Sequence, residues 1–274
     1  MKVNKVNIDL SRIVFLKDKN LKGFRITLIN DIRALEKVFS LLGKSNMPVH
    51  YILVSKANAE KYSALVYLSS EHSENFDEID KRFKESYGVI SVEKIEPLVK
   101  GVLANTLNGH LSWGKDKVIL IKRDIVENMI SDLMEKYGSI FLTILYHMGF
   151  SLGLNTYERN VETLKKLNVG NEALLKYALA IFKMTGNGNA EIVGFDERNK
   201  VVSMKIVDSF EYDAFRNVIR EGPYLHFTRG MWAGWFTGFF SEEMIAKEVK
   251  CEEINGSSMC HIIIHKAPKK VIIE

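Results

Sequence analysis

The chain has 274 residues, enough for one large or two ordinary domains, and 46% of them are apolar against 26% charged, so it can bury a sizeable core. Its 38 basic and 34 acidic residues leave a net charge of +4 with no isolated basic block, which argues against a nucleic-acid partner; Lys165-Lys166 and Lys266, Lys269 and Lys270 read as solvated surface. No apolar run reaches a membrane span, and Met1 to Lys5 holds no apolar signal core, so a cytoplasmic chain is expected.

Ile13 to Leu16 is strand-like and is expected on the surface of a second domain or in a dimer contact. Residues 24–95 then alternate strand and helix signals. Phe24 to Ile29 reads as a strand. Asp31 is a plausible N-cap for a helix with Ile32, Leu35, Val38, Phe39 and Leu42 on one face, ended by Gly43. Val49 to Val54 and Ser63 to Leu68 read as strands. Asn75 to Tyr87 reads as a helix burying Phe76, Ile79 and Phe83, and Val89 to Val92 as a closing strand. The order βαββαβ predicts a four-stranded antiparallel sheet with two helices on one face. This layout resembles the ACT-like regulatory domain within the wider ferredoxin-like group. The resemblance implies small-ligand binding and pairing between copies. The expected first domain is 1–100, followed by a linker, 101–116, with Gly101, Asn105, Asn108, Gly109 and Gly114.

From residue 117 to 274 the helices lengthen. Asp124 to Tyr137 reads as a helix with Ile125, Met129, Leu133 and Met134 at helical spacing. After Gly138 a second runs to about Gly149, within the most apolar stretch of the chain, and Val161–Leu167 and Glu172–Thr185 follow. Gly186-Asn187-Gly188-Asn189 is a turn signal, expected to join two strands as a hairpin; Ala190–Phe195 and Val201–Val207 read as strands. A helix with Phe215, Val218 and Ile219 inward comes next, then an aromatic helix, Tyr224 to Phe240. Ile245–Cys251 and Cys260–His265 form a closing strand pair. The fold class expected is therefore α+β, a ferredoxin-like unit followed by a helical and antiparallel-sheet unit. Absent glutamine with abundant Lys, Glu and Ile leans toward a thermophilic, archaeal-like chain, and the many asparagines lean against it.

The segment from Asp208 to His265 resembles the 4-vinyl reductase domain family, whose fold is related to the vesicle-tethering TRAPP subunits. The residues that carry this are Asp208-Ser209-Phe210-Glu211, Gly230 and Gly234 within the aromatic helix, Glu248 three residues before Cys251, and Cys260 beyond a glycine-bearing turn. In the phenol-sensing members, zinc is held by the Glu, the two Cys and a further Cys; that last position falls here on Leu225, beside His226. The resemblance thus implies a structural zinc held by Glu248, Cys251 and Cys260; of His226, His261 and His265 as the fourth ligand, His226 is the one expected, since strand alternation makes the other two poor co-ligands. The alternative is two small apolar side chains or a thiol pair in a strand pair, with Glu248 solvated. Two cysteines in an unexported chain favour thiols or metal over a disulfide.

Phe141, Leu145, His147, Tyr224, Trp232, Trp235, Phe236 and Phe239 are the candidate lining of an apolar pocket, and Gly230 and Gly234 permit close approach of another element. The plainer alternative is that these aromatics form core or a dimer interface. The aromatic reader of the phenol sensors is unmatched in Met204 to Val207, so phenol is not the expected ligand. No phosphate loop, zinc-protease helix, nucleophile elbow or nicotinamide or flavin fingerprint occurs. The expectation is a small-molecule-binding regulatory protein, homodimeric, passing its output to an unknown protein partner. The alternatives are an assembly or adaptor protein using the same aromatic face, and an accessory protein of reductive metabolism.

Overall fold

A computed structural model describes residues 12–17, 19–107, 111–113, 116–165, 167–219, 221–254 and 256–268. Met1, Lys5, Asn108, Gly109, Gly114, Lys166, Lys269 and Lys270, named above, lie outside them. The chain divides into two units, residues 1–119 and 120–274.

In the first unit the strands are β1 (Ile13–Phe15), β2 (Asn20–Ile29), β3 (Val49–Lys56), β4 (Lys61–Ser70), β5 (Val89–Ile95), β6 (Val102–Ala104), β7 (Leu111–Trp113) and β8 (Asp116–Val118). The helices are α1 (Ile32–Lys44) and α2 (Glu74–Lys84). The main sheet has the order β3-β4-β2-β5 and every pairing is antiparallel. The Asp31 carboxylate caps α1 by accepting from the Arg33 backbone N–H at 2.9 Å. Helix α1 buries Ala34, Leu35, Val38 and Leu42, and α2 buries Phe76, Ile79 and Phe83; both stripes pack on Phe24, Ile26, Leu28, Val66 and Leu68. Ile32 and Phe39, expected on the buried face of α1, are exposed: each sits beside the stripe rather than on it.

Ile13 to Phe15 is strand β1 and pairs with β6 inside the first unit. The expected linker, 101–116, carries β6, β7 and the start of β8. The ribbon of β1 and β6 covers the helix-free face of the sheet. Val14, Leu16 and Leu103 pack there on Leu21, Leu65, Tyr67 and Ile95, and the Tyr67 hydroxyl donates to the Arg12 carbonyl at 2.9 Å. The apolar residues on both faces of β4 demanded such a cover.

The second unit comprises α3 (Arg123–Tyr137), α4 (Ser139–Lys165), α5 (Asn171–Met184), β9 (Asn189–Asp196), β10 (Val201–Val207), α6 (Phe210–Phe215), α7 (His226–Phe240), β11 (Met244–Ile254) and β12 (Ser257–Lys266). Its antiparallel sheet has the order β11-β12-β10-β9. One face of that sheet offers Val202, Met204, Ile206, Ala246, Ile262 and Ile264 to α5 and α7. Gly186 to Asn189 leads from α5 into β9 and is not the hairpin expected; the β9–β10 turn lies at Asp196 to Lys200, where Asp196 accepts from the Asn199 N–H at 3.0 Å. Among the described residues no helix is long and apolar enough to cross a membrane.

Helix α4 runs through Gly149 and Gly153, where the sequence suggested a stop. The reason is its partner. A Cβ on Gly149 or Gly153 would strike the carbonyl oxygens of Phe227 and Met231 in α7. A Cβ on Gly230 or Gly234 would strike those of Tyr146 and Phe150 in α4. The two backbones therefore touch, glycine to carbonyl, over two turns of each helix. Gly153→Ala is expected to cost the second unit about 3 kcal/mol or more, because backbone cannot yield as a side chain does. Gly43→Ala, in open space within α1, is expected to gain about 0.5–1 kcal/mol. Thermal melting followed by circular dichroism compares the two.

Candidate functional site

The α4–α7 crossing leaves room where α5 leans on both. A cavity of about 270 Å³ lies there, lined by Leu152 and Thr156 of α4, Ala178, Ile181 and Phe182 of α5, the following Thr185 and Asn187, and Met231, Trp232 and Trp235 of α7. Its wall is largely apolar. Trp232 is buried against Phe182, with ring centroids 5.4 Å apart, and its indole N–H has no hydrogen-bond partner among the described residues. Trp235 is fixed more completely. Tyr157 meets it edge-on at 5.4 Å and Phe239 stacks on it at 5.5 Å. Asn160, buried in α4, accepts from the Trp235 indole N–H at 3.2 Å and donates to the Thr156 carbonyl at 3.2 Å when its amide is turned to satisfy both.

Of the eight residues expected around a pocket, only Trp232 and Trp235 line this one. Phe236 is core between α7 and the sheet, and Phe239 supports Trp235 from behind. Phe141 and Leu145 pack with Ile130, Ala214 and Phe215 in a separate cluster beneath α3 and α6. His147 is exposed on α4, and Tyr224 packs edge-on to Tyr212 at 5.1 Å. The lining residues of α5 carried no motif. Leu152 and Thr156 lay beyond Gly149, where the helix was expected to end; their continuation of the four-residue rhythm of α4 was the available signal.

The start of α7 is the second feature of the site. Leu225 offers no side-chain cap. Two carboxylates from other elements do this work instead. Glu248 of β11 accepts from the backbone N–H groups of Tyr224 and Leu225 at 2.9 and 2.8 Å. Glu211 of α6, wholly buried, accepts from those of Phe227 and Thr228, the latter at 2.8 Å. Both carboxylates sit at the positive end of the helix, where orphan N–H groups and the macrodipole favour them. Burial outweighs these bonds and pushes Glu211 up to about 7; it also raises Glu248. His226 shares the region. Its Nε2–H donates to the Pro223 carbonyl at 2.8 Å, and its Nδ1 accepts from Arg229 at 3.2 Å. Burial, then the Arg229 charge, lowers its pKa to about 4, so the ring is neutral.

Cys251 and Cys260 face each other across β11 and β12 and are joined as a disulfide. The expectation of free thiols is thereby corrected. Glu248 does reach the same sheet face as Cys251, because a bulge at Val249 resets the alternation. Zinc would need both thiolates free and a lone pair on His226. In this arrangement the sulfurs are bonded to each other and both imidazole nitrogens are engaged. Among the described residues no three His, Cys, Asp or Glu side chains are grouped to hold a metal ion. The residues as placed do not fit a zinc site.

No protein-family model matches this chain, and no curated protein sequence matches it. Solved structures similar to parts of it include the phenol-responsive sensory domain of the transcription activator PoxR with phenol, at 16% identity and TM-score 0.49, covering 58% of this chain and 81% of that one. The trafficking protein particle complex subunit 3 from Naegleria fowleri, covalently bound to palmitic acid, matches at 15% identity and TM-score 0.37, over 53% of this chain and 95% of that one. The ACT domain of GTP pyrophosphokinase from Chlorobium tepidum matches at 14% identity and TM-score 0.26, over 28% of this chain and 99% of that one.

The groups at the start of α7 set a pH dependence with two opposing parts. His226 is depressed, so the folded state binds fewer protons, and stability falls as pH drops from about 6.5 toward 4, by up to about 3 kcal/mol. Glu211 is raised, so stability falls as pH climbs from about 4.5 to 7. Glu211→Gln removes the second part and is expected to steepen the loss on acidification. His226→Phe removes the first and is expected to reverse the slope. Urea unfolding between pH 4.5 and 7.5 reads both.

Proposed function

We propose that the second unit binds a small, neutral, apolar or aromatic molecule between α4, α5 and α7, and that the chain is a ligand-responsive regulatory protein. The observation that carries this reading is the part-enclosed cavity of about 270 Å³ walled by Trp232 and Trp235. Small-molecule sites have this make-up: apolar and aromatic walls with few polar groups. A bound molecule would touch three helices at once. Two of them, α4 and α7, are locked together at their glycines, so the yielding element is α5. Its position against the locked pair is the degree of freedom that differential affinity would bias. The βαββαβ unit is assigned a regulatory role in the same chain.

Zinc is proposed only for the reduced chain, where Glu248, Cys251 and Cys260 share one sheet face. Metal analysis after reduction tests this, and less than about a tenth of an equivalent rules it out.

Binding is tested by thermal shift with a panel of neutral one- and two-ring aromatics, together with tryptophan fluorescence. A ligand at a hundred times its Kd is expected to add about 2.7 kcal/mol of stability and to quench Trp232 and Trp235. Ala178→Phe and Ile181→Trp fill the cavity and are expected to abolish the response while the protein stays folded. A panel without any reproducible shift, or an equal shift in both filled variants, overturns the reading.

A further inference from the structure

We propose that the outer face of α4 is a self-association surface that receives a second copy of this chain. The face is read from a row of side chains four residues apart. Ile140, Ile144, Met148 and Leu152 are 68, 51, 56 and 47% exposed. They lie one position N-terminal to the buried row of Phe141, Leu145, Gly149 and Gly153, and so form a ridge beside the α7 contact. The ridge is about 18 Å long. Its apolar surface is on the order of 400 Å², the size of the largest exposed patch on a typical monomer, which is often functional.

The charge pattern selects the occupant. From Ser139 to Tyr157 the helix carries no Asp, Glu, Lys or Arg, in a chain where 26% of residues are charged. The row flanking the ridge on its far side is Thr143, His147, Ser151 and Asn155, all exposed and polar. On a twofold axis a residue meets its own copy, so a charge at the centre of such a face would meet its like. A long exposed helix face stripped of charge meets that condition. It offers nothing to a charged peptide, and it lacks the basic residues by which interfacial helices hold anionic lipid. Rows at four-residue spacing also interdigitate with the same rows of another helix, the commonest crossing class in globular proteins. Two such faces bury on the order of 1,000 Å² in total, which suits a reversible dimer. Leu152 belongs both to this ridge and to the cavity wall, so the second copy would abut the cavity.

The proposal rests on the helix face and stands or falls without any ligand. Sedimentation velocity of the full chain from 1 to 100 µM tests it, with Ile144→Glu and Met148→Glu beside Ile32→Glu, a change at an exposed isoleucine of the first unit. The wild type and Ile32→Glu are expected to dimerise with concentration, and the two α4 variants to weaken the dimer at least 100-fold while melting within a few degrees of the wild type. A wild-type chain that stays monomeric at 100 µM, as it would if its own first unit covered α4, overturns the proposal. So does a dimer of unchanged affinity in both α4 variants.

Discussion

The second unit is organised by the contact of two backbones. Four glycines, Gly149 and Gly153 on α4 and Gly230 and Gly234 on α7, each face a carbonyl of the other helix. Such an approach is open only to residues without a Cβ. It fixes the distance and rotation of the two helices together, because each glycine must meet its own carbonyl. The aromatics of α7 then have no room at the glycine contact itself and are sent to either side of it. Phe236 enters the space above the sheet, while Trp232 and Trp235 line the opening beside α5. The cavity follows from that division. Large rings held at a fixed angle by a rigid pair cannot collapse inward as separate helices would.

A helix fixed so closely also needs its end secured, and here the polar chemistry is borrowed. Glu211 and Glu248 come from α6 and β11, on either side of α7, and between them satisfy four consecutive-region N–H groups at its start. Arg229 ties the same turn together, donating to the Leu225 carbonyl at 3.0 Å and lying over the Tyr146 ring of α4. The carboxylates thus join three elements of the unit through one helix end. Their burial raises both pKa values, since the N–H bonds only partly replace water.

Much of the architecture was legible in the sequence, for physical reasons that differ by region. The α+β class and the βαββαβ order follow from periodicity alone, and Asp31 announced its helix. The aromatic helix was plain because Gly and aromatic residues alternate there. What escaped was decided by tertiary partners. Glycine in isolation ends a helix, and only α7 explains why Gly149 and Gly153 do not. Ile13 to Leu16 was legible as a strand but its partner was not, and β6 has no pattern of its own; the two together cover Tyr67 and Ile95. Gly186 to Asn189 had the composition of a hairpin turn, but α5 ends on it. Of the cavity lining, the two tryptophans stood out in the sequence, whereas Ala178, Ile181 and Thr156 look like ordinary helix residues. The cysteine pair was recognised as a unit, yet the choice between sulfur–sulfur bond and shared ion rests on the oxidation state, which residue spacing does not encode.

Val249 has a consequence out of proportion to its size. Strand β11 faces β12 in register up to Glu248 and again from Lys250, and Val249 is the surplus residue between. Up to it, even-numbered positions Met244, Ala246 and Glu248 turn inward; beyond it, odd-numbered Cys251 does, opposite Cys260. The strand thus behaves like a message with a frameshift built in. Its first half is keyed to α7 and its second to the sulfur cross-tie, and the two phases can be tuned apart. Drawn into the ladder as an ordinary residue, that one valine would restore a single parity, and either the helix cap or the cross-tie would have to be surrendered.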